Sequence, residues 1–174
     1  MKDLKAVIRN IPDFPKPGIV FRDITTLLAD PGAMGGAADA IAARFRDAGI
    51  DVVVGIEARG FIFGALVADR LGAALAPVRK PGKLPSQTIR ETYELEYGTD
   101  SIEIHTDAVA KGQNVLLVDD LLATGGTMAA CCRLVEKLGG VVAGCAFVIE
   151  LSFLAGRQKL EGYEVVALVD YESE

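Results

Sequence analysis

Two adjacent carboxylates, Asp119 and Asp120, followed closely by the run Ala123-Thr124-Gly125-Gly126-Thr127, are the residues of this chain best suited to chemistry. Gly125 and Gly126 let the backbone curl until several N–H groups point at one spot, while Thr124 and Thr127 supply hydroxyls. A helical run from Met128 to Leu138 follows and adds its positive pole, so the turn suits a phosphate. Carboxylates just ahead of such a cradle repel the phosphate itself. Hydroxyls of a ribose attached to it are their natural partners, because an ionised carboxylate accepts hydrogen bonds from them.

Three further groups have chemical potential. Glu57-Ala58-Arg59-Gly60 closes another apolar run. It is not a Walker loop, since Phe61 stands where lysine is required. Arg59 falls at a helix start, an end that disfavours cations, so a role other than idle solvation is expected of it. From Arg79 to Arg90 the chain carries Arg79, Lys80, Lys83 and Arg90 with no acid between them, in a molecule of net charge −6. Pro81, Gly82 and Pro85 keep this stretch a loop, and a long loop in a compact domain is usually a lid or binding element. A mobile clamp for a multiply charged anion is the reading preferred over a solvated basic face. Finally, the peptide groups of PGIVFRDIT, with Val20, Phe21 and Arg22, suit reading the edge of a flat ring; the plainer alternative is a loop packed on the core.

The elements that position these groups follow from apolar spacing. Val115 to Val118 is an apolar run of the kind buried on both faces of a parallel sheet, and Asp51 to Ile56, Leu75 to Arg79, Val141 to Ile149 and Val165 to Val169 read as further strands. Leu4, Val7, Ile8 and Ile11 predict an amphipathic helix over the first ten residues. Asp30-Pro31 predicts a capped helix running to about Ala48, and Phe61 to Leu71 another closed by Gly72. Thr88 to Tyr97 and Ser101 to Thr106 alternate as a hairpin, with Glu91, Glu94 and Glu96 on its solvent face. His105, the sole histidine, is read as structural. Ligands of an open α/β sheet sit outside the carboxyl ends of the strands, where three of these groups fall.

Composition fits one domain over residues 1–174, with 1–30 as an N-terminal hood and 79–106 as basic loop and flap. The chain is 51% hydrophobic and 24% charged, as in a globular protein. Its negative balance argues against nucleic acid, and it lacks the roughly 18 consecutive apolar residues of a membrane span. Three cysteines, two of them adjacent, form neither a disulfide framework nor a Cys-x-x-Cys site. Buried thiols and a cytoplasmic location are expected.

The apolar strand, paired acids, Thr-Gly-Gly-Thr and helix, in that order, resemble the phosphoribosyl-diphosphate signature of the type I phosphoribosyltransferases. The wording LLATGGT, with VFRDI, EARGF, RKPGKLP and LEYG, is most similar to the adenine-specific branch, over nearly the whole chain. The resemblance implies an α/β fold with a mostly parallel sheet flanked by helices, an antiparallel flap and a small hood. It implies a purine-salvage transferase that makes AMP and pyrophosphate from adenine and 5-phospho-α-D-ribose 1-diphosphate. It places the ribose 5-phosphate at Asp119, Asp120 and Ala123 to Thr127, and pyrophosphate at Glu57, Ala58, Arg59, Arg79, Lys80 and Lys83. Adenine falls to Val20, Phe21, Arg22, Arg59 and Leu121, and catalytic roles to Glu96, Arg59 and Lys83. Mg2+ is implied, held mainly by substrate oxygens rather than by a protein cage, and so is a homodimer. A transferase for a 6-oxopurine or orotate shares the cradle and the chemistry and stays open. A phosphoribosyl-diphosphate-sensing repressor is expected to carry a DNA-binding domain ahead of the cradle, for which the twenty residues before Phe21 leave no room.

Overall fold

The computed structural model describes residues 3–94 and 98–174. Its centre is a sheet of order β4-β3-β7-β8-β9, built from Ala74–Val78 (β4), Val52–Ile56 (β3), Asn114–Leu122 (β7), Val141–Leu151 (β8) and Val165–Tyr171 (β9). Every pairing in it is parallel. The strands read as continuous apolar runs because both faces are covered, yet their residues still divide by parity. Val52, Val54, Val115 and Leu117 enter one core, with helix α5 (Gly126–Lys137) and the flap. Val53, Leu116 and Val118 enter the other, with helices α3 (Pro31–Arg44) and α4 (Gly60–Leu71). This two-layer burial supplies most of the stabilisation, at about 25 cal/mol per Å² of apolar surface removed from water. Among the described residues no helix is long and apolar enough to cross a membrane.

The flap is the antiparallel pair β5 (Thr88–Glu94) and β6 (Thr99–His105), as the alternation predicts. An isolated bridge from Arg79 to Glu103 ties it to the end of β4. The hood contains α1 (Leu4–Val7), a two-stranded ribbon of β1 (Arg9–Ile11) and β2 (Phe21–Asp23), and α2 (Thr25–Leu28). Asp23 binds it together, accepting from Arg9 at 2.6 Å and from the Thr25 N–H at 2.9 Å. The Thr25 N–H and Arg9 pull its carboxyl down to about 2.

Several sequence expectations need correction. The first helix stops at Val7, because Arg9 to Ile11 satisfy their backbone by pairing with β2 instead. Helix α3 ends at Arg44, not near Ala48, as Phe45 turns into the core, 1% exposed. Strand β7 does not end in the two carboxylates; it runs two residues past them to Leu122, with Leu121 and Leu122 paired to Ile149 and Glu150 of β8. Glu91 is not on a solvent face. It is buried against α5, where Arg133 meets it at 2.9 Å and Lys137 also donates to it.

Candidate active site

The carboxyl ends of β3, β4 and β7 open on one cleft of about 230 Å³, walled by Glu57, Ala58, Arg59, Lys80, Asp119, Asp120, Leu121 and Thr127. Ile56, Val78, Tyr93 and Ile102 give it an apolar lining. Beside it lies a smaller hollow of about 90 Å³ formed by Ala123 to Met128 with Leu122 and Phe147. Asp119, Leu121 and Thr127 belong to both, so the two spaces share a wall.

The smaller hollow has the build of an anion cradle. Helix α3 is capped by the Asp30 side chain, but neither α4 nor α5 has a side-chain cap. At α4 the Phe61 and Ile62 N–H groups already donate to the Ala58 and Arg59 carbonyls, so of the two helices that begin beside the cleft it is α5 whose first N–H groups suit a ligand. Gly125 has φ +77°, and a Cβ on it would stand 2.3 Å from the Gly156 carbonyl oxygen. At Gly126 the nearest atoms to such a Cβ are 3.4 Å away, an ordinary contact. Gly125 is thus the stricter of the pair. Gly156 belongs to the 3-10 turn Gly156–Leu160, which Arg157 holds in place through a bidentate pair with buried Glu150, 2.6–2.9 Å. Lys159 of the same turn approaches the cradle, its ammonium 3.9 Å from the Gly126 Cβ position.

On the cleft floor the two carboxylates differ. Asp120 is 4% exposed and ion-paired with Arg59. Asp119 accepts the Asp120 N–H at 2.8 Å. Burial first, and the adjacent Asp120 charge second, push the Asp119 carboxyl well above the usual carboxylate range. Arg59 sits in helical conformation at the start of α4. From there its guanidinium reaches Asp120 and also faces the Phe21 ring, 5.7 Å from the centroid. Arg59 therefore links the hood to the cleft. Gly60 makes this possible, since a Cβ there would lie 2.8 Å from both Asp119 Oδ1 and the Val118 carbonyl.

The basic loop does not point its charges into open water. Glu57 accepts from Lys83 at 2.5 Å, the Lys80 N–H at 2.9 Å and Arg79 at 3.3 Å. The Lys83 ammonium, helped by the Lys80 N–H and Arg79, pulls Glu57 down to about 2 against its burial. Lys80 turns its ammonium to Asp100, and Arg90 pairs with Glu103 at 2.6 Å.

The structure thus gathers Glu57, Ala58, Arg59, Lys80, Asp119, Asp120, Leu121 and Thr127 around the cleft, with Ala123, Thr124, Gly125 and Gly126 in the cradle. Arg79 and Lys83 stand behind Glu57 rather than in the cleft wall. Val20, Phe21 and Arg22 form the neighbouring hood, outside that wall. The Val20 N–H donates to Glu174 Oε2 at 2.9 Å, and the Arg22 side chain turns away to stack on Tyr171 at 4.0 Å. Glu96 lies outside the described residues. Sequence reasoning missed Tyr93, Asp100 and Lys159. Tyr93 carried a signal, because it alternates with Ile89 along β5.

A family model for the phosphoribosyl transferase domain matches residues 23–170. The chain is 58% identical to the adenine phosphoribosyltransferase of Solibacter usitatus, covering 99% of each. The crystal structure of adenine phosphoribosyltransferase from Thermoanaerobacter pseudethanolicus superposes with a TM-score of 0.93 at 54% identity, covering 97% of this chain and 98% of that one. The Saccharomyces cerevisiae adenine phosphoribosyltransferase, solved with adenine and an imino-altritol bisphosphate, gives a TM-score of 0.90 at 43% identity, covering 95% and 96%. Near full-length likeness at this level settles the family: the chain belongs to the phosphoribosyltransferases, among the adenine phosphoribosyltransferases.

Proposed function

We propose that the protein joins adenine to 5-phospho-α-D-ribose 1-diphosphate, forming AMP and pyrophosphate in purine salvage. The observation that carries this is the 58% identity with an adenine phosphoribosyltransferase over 99% of both chains. The 5-phosphate lies on the Ala123 to Thr127 cradle and the α5 N-terminus, and Asp119 and Asp120 take the ribose hydroxyls. Glu57, Ala58, Arg59, Arg79, Lys80 and Lys83 receive the diphosphate. Adenine sits between the hood, Val20 to Arg22, and Leu121, with Arg59 against its edge.

The chemistry breaks the bond from C1 to the diphosphate oxygen while adenine N9 bonds to an oxocarbenium-like C1. Arg59 and Lys83 stabilise the negative charge growing on the departing group. Glu96 accepts the proton that adenine gives up at N7. The apolar walls, Ile56, Val78 and Ile102, help exclude the water that would otherwise compete for C1. Mg2+, a hard cation that takes oxygen ligands, would be held mainly by the diphosphate and ribose oxygens of the donor. Asp119 and Asp120, on the cleft floor, would hold the ribose that carries part of those oxygens. When bound, Mg2+ supplies charge neutralisation for the diphosphate.

The protein acts as a homodimer in the cytoplasm. The exposed apolar side chains of Ile62 and Leu75, on α4 and the edge strand β4, support self-association. Three free, buried cysteines support a reducing compartment.

The test is a turnover assay with adenine, hypoxanthine, guanine and orotate offered separately. Adenine alone is expected to yield nucleotide; equal use of a 6-oxopurine or orotate refutes the base assignment. In the same assay Glu96→Gln should lose about 10² to 10⁴ in rate. Exposed Glu94 is the proper control, since Glu91 is an anchor of the flap.

A further inference from the structure

The cations of the 79–83 loop each face a protein carboxylate. Glu57, which takes Arg79 and Lys83, belongs to the turn at the end of β3 and so has a place in the cleft wall. Asp100, which takes Lys80, has no such place. It lies near the start of β6, behind the cleft wall, while Lys80 and Tyr93 line the cleft itself. Its Oδ2 accepts from the Lys80 ammonium and from the Tyr93 hydroxyl at 3.3 Å, and its Oδ1 from the Ser101 N–H at 2.7 Å. The reaction proposed above has no step for this carboxylate.

We propose that Asp100 is an exchangeable counter-ion for Lys80. It holds the ammonium between turnovers and yields it to the diphosphate oxygens, and so sets how tightly the donor and the pyrophosphate product are held. The inference rests on the functional reading above.

Three physical points carry it. An ammonium is a compact charge on a flexible stem with rotatable donors, so it can pass from one acceptor to another by a small swing. The pair is half open to solvent, with side chains 42% and 29% exposed, which keeps it weak enough to exchange. A binding group that is committed elsewhere for part of the time lowers apparent affinity by the fraction of time it is free. Tyr93 steadies the carboxylate from β5, so the exchange couples the flap to the charge state of the cleft.

Calorimetric titration of pyrophosphate with Mg2+ into the full chain tests this. Asp100→Asn keeps the shape of the side chain and should bind pyrophosphate about three- to fivefold more tightly, the scale of a half-exposed ion pair. Asp100→Ser should do the same, which guards against an Asn-specific contact. In a Lys80→Gln background, Asp100→Asn should change nothing, as the double-mutant cycle requires if the effect runs through that ammonium. Glu94→Gln, which removes another flap carboxylate, should leave affinity unchanged. Unchanged or weaker binding by the Asp100 variants, an equal gain from Glu94→Gln, or a gain that survives Lys80→Gln overturns the proposal. Wild-type turnover separates the two ideas. A wild type that makes no AMP sinks the function and this inference together. A wild type that makes AMP, with Asp100 variants binding pyrophosphate no tighter, sinks the inference alone.

Discussion

Asp119 and Asp120 stand side by side at the end of β7, but their surroundings divide their labour. Arg59 pairs with Asp120 on the cleft floor. Asp119 has burial and a like charge working against its ionisation, and in the neutral form it donates as well as accepts. The two carboxylates read together from the sequence thus stand in different electrostatic surroundings. The linkage has a definite sign. A carboxyl whose folded value is raised binds more protons in the folded state. Its stability cost is absent below the ordinary value of 3.8 and grows as pH rises above it. Asp119→Asn, which imitates the neutral form and can still accept the Asp120 N–H, should raise the Tm measured without substrates at about pH 7. The gain should shrink toward about pH 4. The same variant should weaken donor binding by about 1–3 kcal/mol through a poorer hydrogen bond to ribose. A lower Tm at neutral pH shows that Asp119 is a stabilising anion instead.

At the scale of elements, the flap is fastened by carboxylates. Glu103 takes Arg90 at 2.6 Å and the Gly82 N–H at 3.0 Å, locking the basic loop to β6. Glu91 takes Arg133 and Lys137, locking β5 to α5, the helix whose first turn forms the cradle. Glu91→Gln keeps the shape and removes the charge. Because both cations are half-exposed, the cost should be about 1 kcal/mol in urea denaturation. Faster hydrogen exchange along Thr88–Glu94 should accompany it, and unchanged exchange in β5 means that the hairpin is held by its apolar face alone. The sequence carried part of this. Ile89, Glu91 and Tyr93 alternate as one inward face, and Arg133 and Lys137 stand four apart on one side of a helix. Nothing local says that this helix lies against that hairpin, so Glu91 reads as solvated until the tertiary contact is seen. Strands β3, β7 and β8 were legible for the opposite reason. Burial on both faces leaves a continuous apolar run that needs no knowledge of its neighbours. The hollow beside the cleft was legible as a unit because its turn is five consecutive residues, Ala123 to Thr127. Asp100 was not, since its meaning depends wholly on Lys80, twenty positions away.

In the whole molecule, distant segments complete one another. Strand β3 waits for β7, with the Asn114 N–H meeting Asp51 at 2.7 Å across 63 positions. The hood waits longer. Arg22 donates to the Ser173 carbonyl 151 positions later, at 3.2 Å, and stacks on Tyr171. A ribosome adding about 5–20 residues per second needs roughly 8–30 s to span that interval. The nascent hood is therefore without that clasp throughout the interval, while residues Ala123 to Thr127 emerge tens of residues before the strand that supplies it. Pulse proteolysis of ribosome-bound chains of increasing length should find the hood cleavable until β9 and Ser173 have left the exit tunnel, and protected afterwards. Early protection means that the hood folds by itself and that its clasp to the last strand is added to an already finished piece.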